Sequence, residues 1–233
     1  MKIALIQTHP EKGDIEANLA DHIHWIGKAG RKQADLVIFP ELSLTGYEPS
    51  LANDLAMDLH DPRLDFFQQC SDQFQMGIGL GLPLRWQGGI SIALAIFQPG
   101  IPRSAYGKQL LHEDEMPFFA PGPEFAGFQG DLANTALAIC YELSIAEHVD
   151  AAANAGASLY LASVAKDAAG VEKASLSLSG YARKYEIMTC MVNCIGPSEG
   201  FHCTGGTAVW NPDGELVAQI EGEEPGLLIF DWE

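Results

Sequence analysis

Short apolar runs alternate with amphipathic stretches along the chain. Lys2–Gln7 and Leu36–Phe39 are dominated by consecutive apolar residues over the length of a strand, a pattern typical of strands buried on both faces. Between them, apolar residues recur at helical spacing from about Asp14. Asp14 is the predicted N-cap of this helix and Gly30 its predicted stop.

The same two patterns continue to the end of the chain. Further strands are predicted at Met76–Leu82, Ile90–Phe97, Ser104–Gln109, Thr135–Ile139, Leu159–Ala162, Met188–Asn193, Thr207–Trp210, Leu216–Ile220 and Leu227–Phe230. Further helices are predicted at Pro62–Gln75, Ile145–Ala155 and Glu172–Tyr185. Gly88-Gly89 and Asn211–Gly214 mark turns between strands. Many strands interleaved with a few helices predict an α/β fold.

Three alternating glycines at Gly77, Gly79 and Gly81 raise the alternative of a nucleotide-binding loop. The dinucleotide pattern needs a third glycine where this chain has Leu82. The spacing therefore favours close packing of a strand over nucleotide binding.

The composition narrows the class of partner. The 233 residues are 47% hydrophobic, enough for one large globular domain, and carry a formal charge of -18. Such a charge repels nucleic acid and anionic membranes. No apolar run approaches the roughly 20 residues that span a bilayer, and the first is too short for a secretory signal. We expect a cytoplasmic protein.

The cysteines are odd in number, five in all, which argues against a disulfide framework. Cys190, Cys194, His202 and Cys203 raise the alternative of a metal site. Met188–Asn193 is a predicted strand, however, and residues four apart on a strand are separated by about 13 Å. We therefore expect no bound metal.

Three polar residues come at the ends of apolar strands. Glu41 follows Leu36–Phe39, Lys108 lies near the end of its strand, and Cys140 follows Thr135–Ile139. Ligands bind at strand ends in α/β folds. Taken singly, a surface acid, a solvated lysine and a small core thiol are the plainer alternatives.

The surrounding motifs favour function. In chain order, they are Phe39-Pro40-Glu41-Leu42-Ser43-Leu44-Thr45-Gly46-Tyr47; Tyr106-Gly107-Lys108 with Glu115 and Phe119-Ala120-Pro121-Gly122; and Ile139-Cys140-Tyr141-Glu142-Leu143. These segments resemble the three signatures of the nitrilase superfamily, also called the carbon-nitrogen hydrolase family. The resemblance continues through Ala182–Glu186, Val192-Asn193, Gly205–Thr207 and Pro212–Gly214.

The resemblance implies a fold and an assembly. The fold is a four-layer α-β-β-α sandwich with two mixed β-sheets, formed here by one hydrolase domain over residues 1–233 without a fused synthetase domain. Members of the family act on non-peptide carbon–nitrogen bonds. They form dimers through the helix after the nucleophile, here Ile145–Ala155, so we expect a homodimer. The expected chemistry needs no cofactor.

The residues also suit the chemistry of amide hydrolysis. Cys140 supplies the nucleophile, and Glu41 moves the proton from the thiol to the leaving amine. Lys108 and the backbone N–H of Tyr141 stabilise the oxyanion, and Lys108 is also expected to favour the thiolate. The family spacing places Glu115 in the pocket as a second carboxylate.

Other residues near the signatures have lesser expected roles. Tyr47 is expected in the substrate-binding wall, together with Tyr141. Glu142 is expected to form structural hydrogen bonds. His112 and His148 lie near the signatures in sequence, but neither is expected to be catalytic.

Three functional hypotheses follow. The leading one is an amidase that releases ammonia from a small-molecule amide through a cysteine thioester. An N-carbamoyl hydrolase or a nitrilase would use the same triad. A catalytically silent binding protein on this scaffold is the alternative outside enzymes. Selective labelling of Cys140 by a thiol probe separates the enzymes from the silent protein.

Overall fold

The computed structural model describes residues 1–232. Its strands are β1 (Lys2–Gln7), β2 (Leu36–Ile38), β3 (Gly77–Trp86), β4 (Gly89–Gln98), β5 (Ile101–Gly107), β6 (Thr135–Ile139), β7 (Leu159–Val164), β8 (Met188–Asn193), β9 (Ile195–Ser198), β10 (Phe201–Thr204), β11 (Ala208–Trp210), β12 (Leu216–Gln219) and β13 (Gly226–Asp231). Its α-helices are α1 (Ile15–Arg31), α2 (Ala52–Leu55), α3 (Asp65–Phe74), α4 (Ala146–Asn154) and α5 (Ala168–Tyr185).

The strands form two large mixed sheets and one hairpin. The first sheet has the order β13-β1-β2-β3-β4-β5, and the second has the order β12-β11-β8-β7-β6. In the first, β1, β2 and β3 are parallel and the other pairings are antiparallel. In the second, β6, β7 and β8 are parallel. Strands β9 and β10 form a separate antiparallel hairpin.

The alternation of side chains across each strand explains the layers. On β1, Ile3 and Leu5 pack into the core between the two sheets, whereas Ala4 and Ile6 pack into a core beneath α1 and α3. A third core lies between the second sheet and helices α4 and α5. Because helices or the other sheet cover both faces of the central strands, β1, β2, β7 and β8 are buried along almost their whole length. The predicted α-β-β-α sandwich is confirmed.

Helix α1 begins as predicted but ends later. The side chain of Asp14 accepts a hydrogen bond from the Ala17 N–H at 3.0 Å, so it caps the helix. The predicted stop at Gly30 is wrong, because the helix continues to Arg31. Gly30 instead lies under the ring of Phe74, where a Cβ atom would approach ring carbons to 2.5 Å. The glycine serves the packing of α1 against α3.

The glycines of β3 allow close packing, as predicted. A Cβ atom on Gly81 would lie 2.3 Å from the carbonyl oxygen of Pro40 and 2.4 Å from the nitrogen of Leu42. Only glycine lets β3 pass so near this segment. The strand thereby supports the backbone on both sides of Glu41.

A hairpin and the start of a helix also differ from the sequence-based prediction. The hairpin β9–β10 was not predicted, because its strands are four residues each and the first of them contains Gly196 and Pro197. Helix α5 begins at Ala168 rather than Glu172, because Asp167 caps it by accepting the Gly170 N–H at 2.8 Å. Over residues 1–232, no helix is long and apolar enough to cross a membrane.

A buried histidine joins α1 to the segment that follows β2. His22 donates from Nδ1 to the carbonyl oxygen of Asn18 at 2.6 Å, so its Nε2 accepts from the hydroxyl of Ser43 at 2.9 Å. Its ring stacks on Phe39, with centroids 4.1 Å apart. Burial lowers the pKa of His22 from 6.5 to about 4, because the charged ring is poorly solvated there.

We expect His22→Gln to reduce the loss of stability in acid. The unfolded chain takes up a proton at His22 below about pH 6.5, whereas the folded chain does not until near pH 4. The stability due to neutral His22 is therefore complete above pH 6.5, and it falls by up to about 1.4 kcal/mol per pH unit below it. Urea unfolding at pH 7, 6 and 5 should show a steeper decline for the wild type than for His22→Gln.

The exposed His60 provides the control for this experiment. His60→Gln should decline in parallel with the wild type. Equal slopes for the wild type and His22→Gln would contradict the prediction.

Candidate active site

Residues at the ends of strands from both sheets meet in one place. Glu41 follows β2, Lys108 follows β5, Cys140 follows β6 and Ala165 follows β7. Strands β2 and β5 run in the same direction, because β3 is parallel to β2 and two antiparallel pairings separate β3 from β5. Their carboxyl ends therefore lie at one edge of the first sheet. The carboxyl ends of β6 and β7 face that edge.

Lys108 is buried between two carboxylates. Its Nζ lies 2.9 Å from Oε1 of Glu41 and 2.5 Å from Oε1 of Glu115. Lys108 is 0% exposed, Glu41 1% and Glu115 2%. Pairing offsets the loss of hydration that such burial imposes on charged groups. The three charges leave one net negative charge.

Burial and mutual charge act in opposite directions on these groups. Burial raises the pKa of Glu41, although the Lys108 ammonium acts to lower it. For Lys108, burial acts to lower the pKa, but the surrounding negative groups, Glu41 first, outweigh burial and raise it. Lys108 is therefore a permanent cation.

Two further hydrogen bonds hold Glu115 against Lys108. Oε1 of Glu115 accepts from the hydroxyl of Tyr47 at 3.1 Å, and Oε2 of Glu115 accepts from the backbone N–H of His112 at 2.8 Å. Burial, together with the nearby Glu41, raises the pKa of Tyr47. The Tyr47 hydroxyl thus remains a donor, and Glu115 has little freedom to move.

Cys140 occupies a strained turn at the end of β6. Its φ of 46° is in the left-handed region, which costs a non-glycine residue on the order of 1–2 kcal/mol. The Sγ atom lies 3.8 Å from the carbonyl oxygen of Ala165, and the nearby carboxylate of Glu41 acts on the thiol electrostatically. The other Glu41 oxygen, Oε2, accepts the Ala165 N–H at 3.1 Å. The turn thus directs the thiol toward the Glu41 carboxylate.

The thiol of Cys140 is protonated at neutral pH. Burial and the negative charge of Glu41 raise its pKa to about 11. Lys108 does favour the thiolate, as the sequence predicted, but burial and the nearby carboxylates outweigh it. A proton acceptor such as Glu41 is needed before the sulfur can attack.

Glu142 connects the turn at Cys140 to the segment around Lys108. Its Oε2 accepts the N–H of Ile139 at 2.7 Å and the hydroxyl of Tyr106 at 2.6 Å. Its Oε1 accepts the N–H of Gln109 at 2.6 Å. The predicted structural role of Glu142 is confirmed. The carboxylate binds the residue before Cys140 and the residue after Lys108, and so links the end of β6 in the second sheet to the end of β5 in the first.

A cavity of about 360 Å³ opens above Cys140, a size that suits a small molecule. Aromatic and charged side chains form its wall. The aromatic ones are Tyr47, His112, Tyr141 and Phe201, and the charged ones are Asp114, Glu115, Lys166 and Asp167. Glu41 and Lys108 lie below its floor.

The structure brings the predicted site residues together. Glu41, Lys108, Glu115 and Cys140 form one cluster, and Tyr47 and Tyr141 line the cavity above it. Phe201 and Lys166 also line the cavity. The sequence predicted the loop Ser163–Val171 in the pocket wall without naming Lys166, and it did not single out Phe201. Phe201 belongs to the hairpin that was not predicted, and Lys166 follows β7, whose end was placed two residues early at Ala162.

The two histidines near the signatures differ in position. His112 lines the cavity, and its Nδ1 lies 2.6 Å from Oδ1 of Asp114. His148 lies outside the cavity wall, with Nε2 3.0 Å from the hydroxyl of Tyr106. Burial lowers the pKa of His148.

The remaining cysteines do not gather around a common centre. Cys190 packs in the core between the sheets, and Sγ of Cys203 lies 3.3 Å from the hydroxyl of Ser198. His202 pairs instead with Glu223 at 2.6 Å. Within the part of the chain that the structure describes, no three His, Cys, Asp or Glu side chains are arranged to hold a metal ion.

Comparison with known proteins identifies the family. A family model described as carbon-nitrogen hydrolase matches residues 2–232. The chain belongs to the carbon-nitrogen hydrolase family. The resemblance to the nitrilase superfamily is thereby confirmed.

Curated relatives of this family member include an amidase and a synthetase. An (R)-stereoselective amidase from a Pseudomonas species is 26% identical over 227 residues, which cover 96% of this chain and 82% of the relative. A glutamine-dependent NAD(+) synthetase from Thermotoga maritima is 28% identical over 250 residues, which cover 99% of this chain. The matched region is 42% of the synthetase, so this chain spans under half of its length.

A solved amidase has the same fold. The amidase from a Nesterenkonia species superimposes with a TM-score of 0.86 at 25% identity, covering 100% of this chain and 90% of that one. A mutant of the Nesterenkonia amidase carries acrylamide added to its active-site cysteine, and it superimposes with a TM-score of 0.84 at 26% identity, covering 100% of this chain and 93% of that one. A cysteine is therefore the reactive residue of that relative.

We expect Glu142→Gln to destabilise the fold by about 2–4 kcal/mol. The side-chain amide keeps one accepting oxygen, and its NH₂ group would face donors that now reach the second carboxylate oxygen. Urea unfolding at pH 7 measures the effect. Glu147→Gln, on the exposed side of α4, is the control and should change stability little. If both variants were equally stable, Glu142 would not hold the two strand ends together.

Proposed function

We propose that the protein is an amidase that hydrolyses a small-molecule amide to a carboxylate and ammonia through a thioester at Cys140. One observation carries the proposal: beneath a cavity of about 360 Å³, the thiol of Cys140 and the carboxylate of Glu41 both contact the backbone of Ala165, and Glu41 is paired with buried Lys108. The amidases among the relatives, one with a reactive cysteine, support it.

The first half of the reaction forms the thioester. Glu41 takes the thiol proton as Sγ of Cys140 attacks the amide carbon. Negative charge then develops on the amide oxygen. Lys108 has three N–H donors, of which Glu41 and Glu115 use two, so one remains for this oxygen. The N–H of Tyr141 is the second proposed donor.

The second half releases the products. Protonated Glu41 gives its proton to the amide nitrogen, the carbon–nitrogen bond breaks, and ammonia leaves. Glu41 then takes a proton from water, whose oxygen attacks the thioester carbon. When the carbon–sulfur bond breaks, the proton returns to Cys140 and the carboxylate product leaves. Tyr47 and Glu115 hold Lys108 and the substrate in position.

We also propose one hydrolase domain over residues 1–233, present as a homodimer. Antiparallel pairing of β1 with β13 places both ends of the described chain in one sheet and supports a single unit. The dimer is proposed from the family, through α4, and light scattering at micromolar concentration tests it. A monomer would contradict it. A cytoplasmic location stays a prediction from the sequence.

A substrate screen separates the enzymatic alternatives. Amides, nitriles and N-carbamoyl compounds should be tested in parallel, with detection of ammonia. Release of ammonia from amides alone supports the proposal. Turnover of nitriles alone, or of N-carbamoyl compounds alone, would show instead that the protein is a nitrilase or an N-carbamoyl hydrolase. No turnover, together with no reaction of Cys140 with a thiol reagent, would indicate a silent binding protein.

We expect Cys140→Ala to abolish turnover while leaving the fold intact. The substitution removes the proposed nucleophile and only one sulfur atom from the packing. Ammonia release measures the first effect and thermal unfolding the second. Cys190→Ala is the control, because that side chain packs in the core between the sheets. Near-normal activity in Cys140→Ala, with loss in Cys190→Ala or Cys203→Ala, would show that another cysteine is the nucleophile.

We expect Glu41→Gln to lower amide turnover by about 10²–10⁴-fold or more, since one carboxylate serves every proton transfer. The amide side chain can still accept a hydrogen bond from Lys108 but cannot take the thiol proton. A reactive ester needs less help for its leaving group, so it should still acylate Cys140 and leave a slowly hydrolysed thioester. Intact-mass spectrometry detects that adduct.

Glu113→Gln is the control for Glu41→Gln, because Glu113 is exposed in the loop before Glu115. It should remain active. Amide turnover by Glu41→Gln close to the wild-type rate would remove Glu41 from the proposed mechanism.

A further inference from the structure

The thiol of Cys140 lacks an effective cation within the buried cluster. Lys108 is the only cation there, and it faces both Glu41 and Glu115. Transfer of the proton from Cys140 to Glu41 leaves the total charge unchanged but moves a negative charge from oxygen to sulfur. Because Lys108 lies 2.9 Å from the Glu41 oxygen, it stabilises the negative charge on Glu41, which is the state before the proton transfer. A cation nearer the sulfur is needed to favour the transfer.

Lys166, unlike Lys108, lies in the wall of the cavity. It follows Ala165, whose carbonyl oxygen is 3.8 Å from Sγ of Cys140 and whose N–H binds Glu41. Lys166 and Cys140 line the same cavity. Over residues 1–232, no carboxylate oxygen lies within 4.0 Å of the Lys166 ammonium. Its charge is thus available to the cavity.

The backbone of Lys166 is held on both sides. Its N–H donates to Oδ1 of Asn193 at 2.9 Å, and its carbonyl oxygen accepts from Nδ2 of Asn193 at 3.0 Å. The first side-chain carbons pass close to Gly170, where an added Cβ atom would lie 3.2 Å from Cβ of Lys166. Asn193 is fully buried. The base of the side chain is therefore fixed, and the ammonium extends from it.

We propose that Lys166 acts through Cys140, as the cation that stabilises negative charge on Sγ when the proton passes to Glu41. The proposal rests on the proposed function, since it takes Cys140 as the nucleophile. Lys166 also acts to lower the pKa of Cys140, more strongly than Lys108 does. The stronger effect of Lys166 on the thiol is expected, because Lys166 has no carboxylate partner whereas Lys108 is paired with two.

Other ionisable groups also face Cys140 and enter its pH dependence. They come from the loops after β2, β5 and β7 and are Glu41, Tyr47, Lys108, His112, Asp114, Glu115 and Asp167. All of them are unchanged in a variant of Lys166. The difference between variant and wild type therefore isolates the contribution of Lys166.

The experiment measures the reactivity of Cys140 without substrate. Methyl methanethiosulfonate is a small uncharged reagent that reacts with the thiolate, and peptide mass mapping follows modification at Cys140 itself. Between pH 7 and 9.5, below the thiol pKa, the rate follows the thiolate fraction. Lys166→Met should lower the rate about threefold at every pH, equivalent to about half a pKa unit. The difference should shrink near 1 M salt.

Three further variants serve as controls. Lys166→Arg keeps the charge and should restore the wild-type rate to within about twofold. Lys166→Gln keeps a polar side chain without the charge and should behave like Lys166→Met, which protects the test if Met disturbs folding. Lys173→Met removes an exposed lysine of α5 outside the cavity and should have no effect. Circular dichroism confirms that each variant is folded.

The outcomes separate this inference from the proposed function. Equal rates at Cys140 in the wild type, Lys166→Met and Lys166→Gln overturn the role of Lys166, even if the variants change the KM for a substrate. Failure of Cys140 to react, while another cysteine does, overturns the nucleophile and the Lys166 role together. A lower rate of modification at Cys140 in Lys166→Met and Lys166→Gln, with the wild-type rate restored in Lys166→Arg, supports the inference.

Discussion

The burial of one lysine between two carboxylates determines how the rest of the site is built. An ammonium at the position of Lys108 would be strongly destabilising without the 2.9 Å and 2.5 Å contacts to Glu41 and Glu115. Those contacts require the segment after β2, the segment after β5 and the loop at Glu115 to converge. Other contacts hold these segments together around Lys108. Gly81 leaves room for the backbone around Glu41, and hydrogen bonds from the Tyr47 hydroxyl and the His112 N–H fix Glu115.

The second sheet reaches this cluster through hydrogen bonds rather than ion pairs. The Ala165 N–H, after β7, binds Glu41, and the hydroxyl of Ser163 donates to the carbonyl oxygen of Phe39 at 2.9 Å. Glu142 completes the connection, because it binds backbone groups next to both Cys140 and Lys108. The strained backbone of Cys140 can persist because these neighbours fix it from both sides. Fold stability and the geometry of Cys140 therefore depend on the same contacts.

The cluster of Glu41, Lys108, Glu115 and Cys140 could be predicted from polar residues at the ends of apolar strands and from the spacing of the family motifs. Thr135–Ile139 and Met188–Asn193 were predicted with their observed bounds, because buried parallel strands are apolar throughout. The wall of the cavity was harder to predict. Phe201 lies in a short hairpin without alternation, and Lys166 comes after a strand whose last two residues, Ser163 and Val164, were not assigned to it. The stop at Gly30 failed because tertiary packing against Phe74, rather than local conformation, requires that glycine.

Local charge has more bearing on the proposed chemistry than the total charge of -18. Most of the acidic residues are solvated, and salt at physiological ionic strength screens their charges beyond about 8 Å. The cluster of Lys108 and two carboxylates is buried, so its net negative charge is screened much less. That charge, together with burial, holds the thiol of Cys140 protonated. The resting site is then a neutral thiol beside a carboxylate, unlike sites in which an adjacent imidazolium maintains a thiolate. In the proposed mechanism, the thiol proton passes to Glu41 as the sulfur attacks, and the negative charge that appears on the substrate oxygen meets the remaining N–H of Lys108. The same lysine that holds the carboxylates in place at rest is thus positioned to stabilise the charge that the reaction creates.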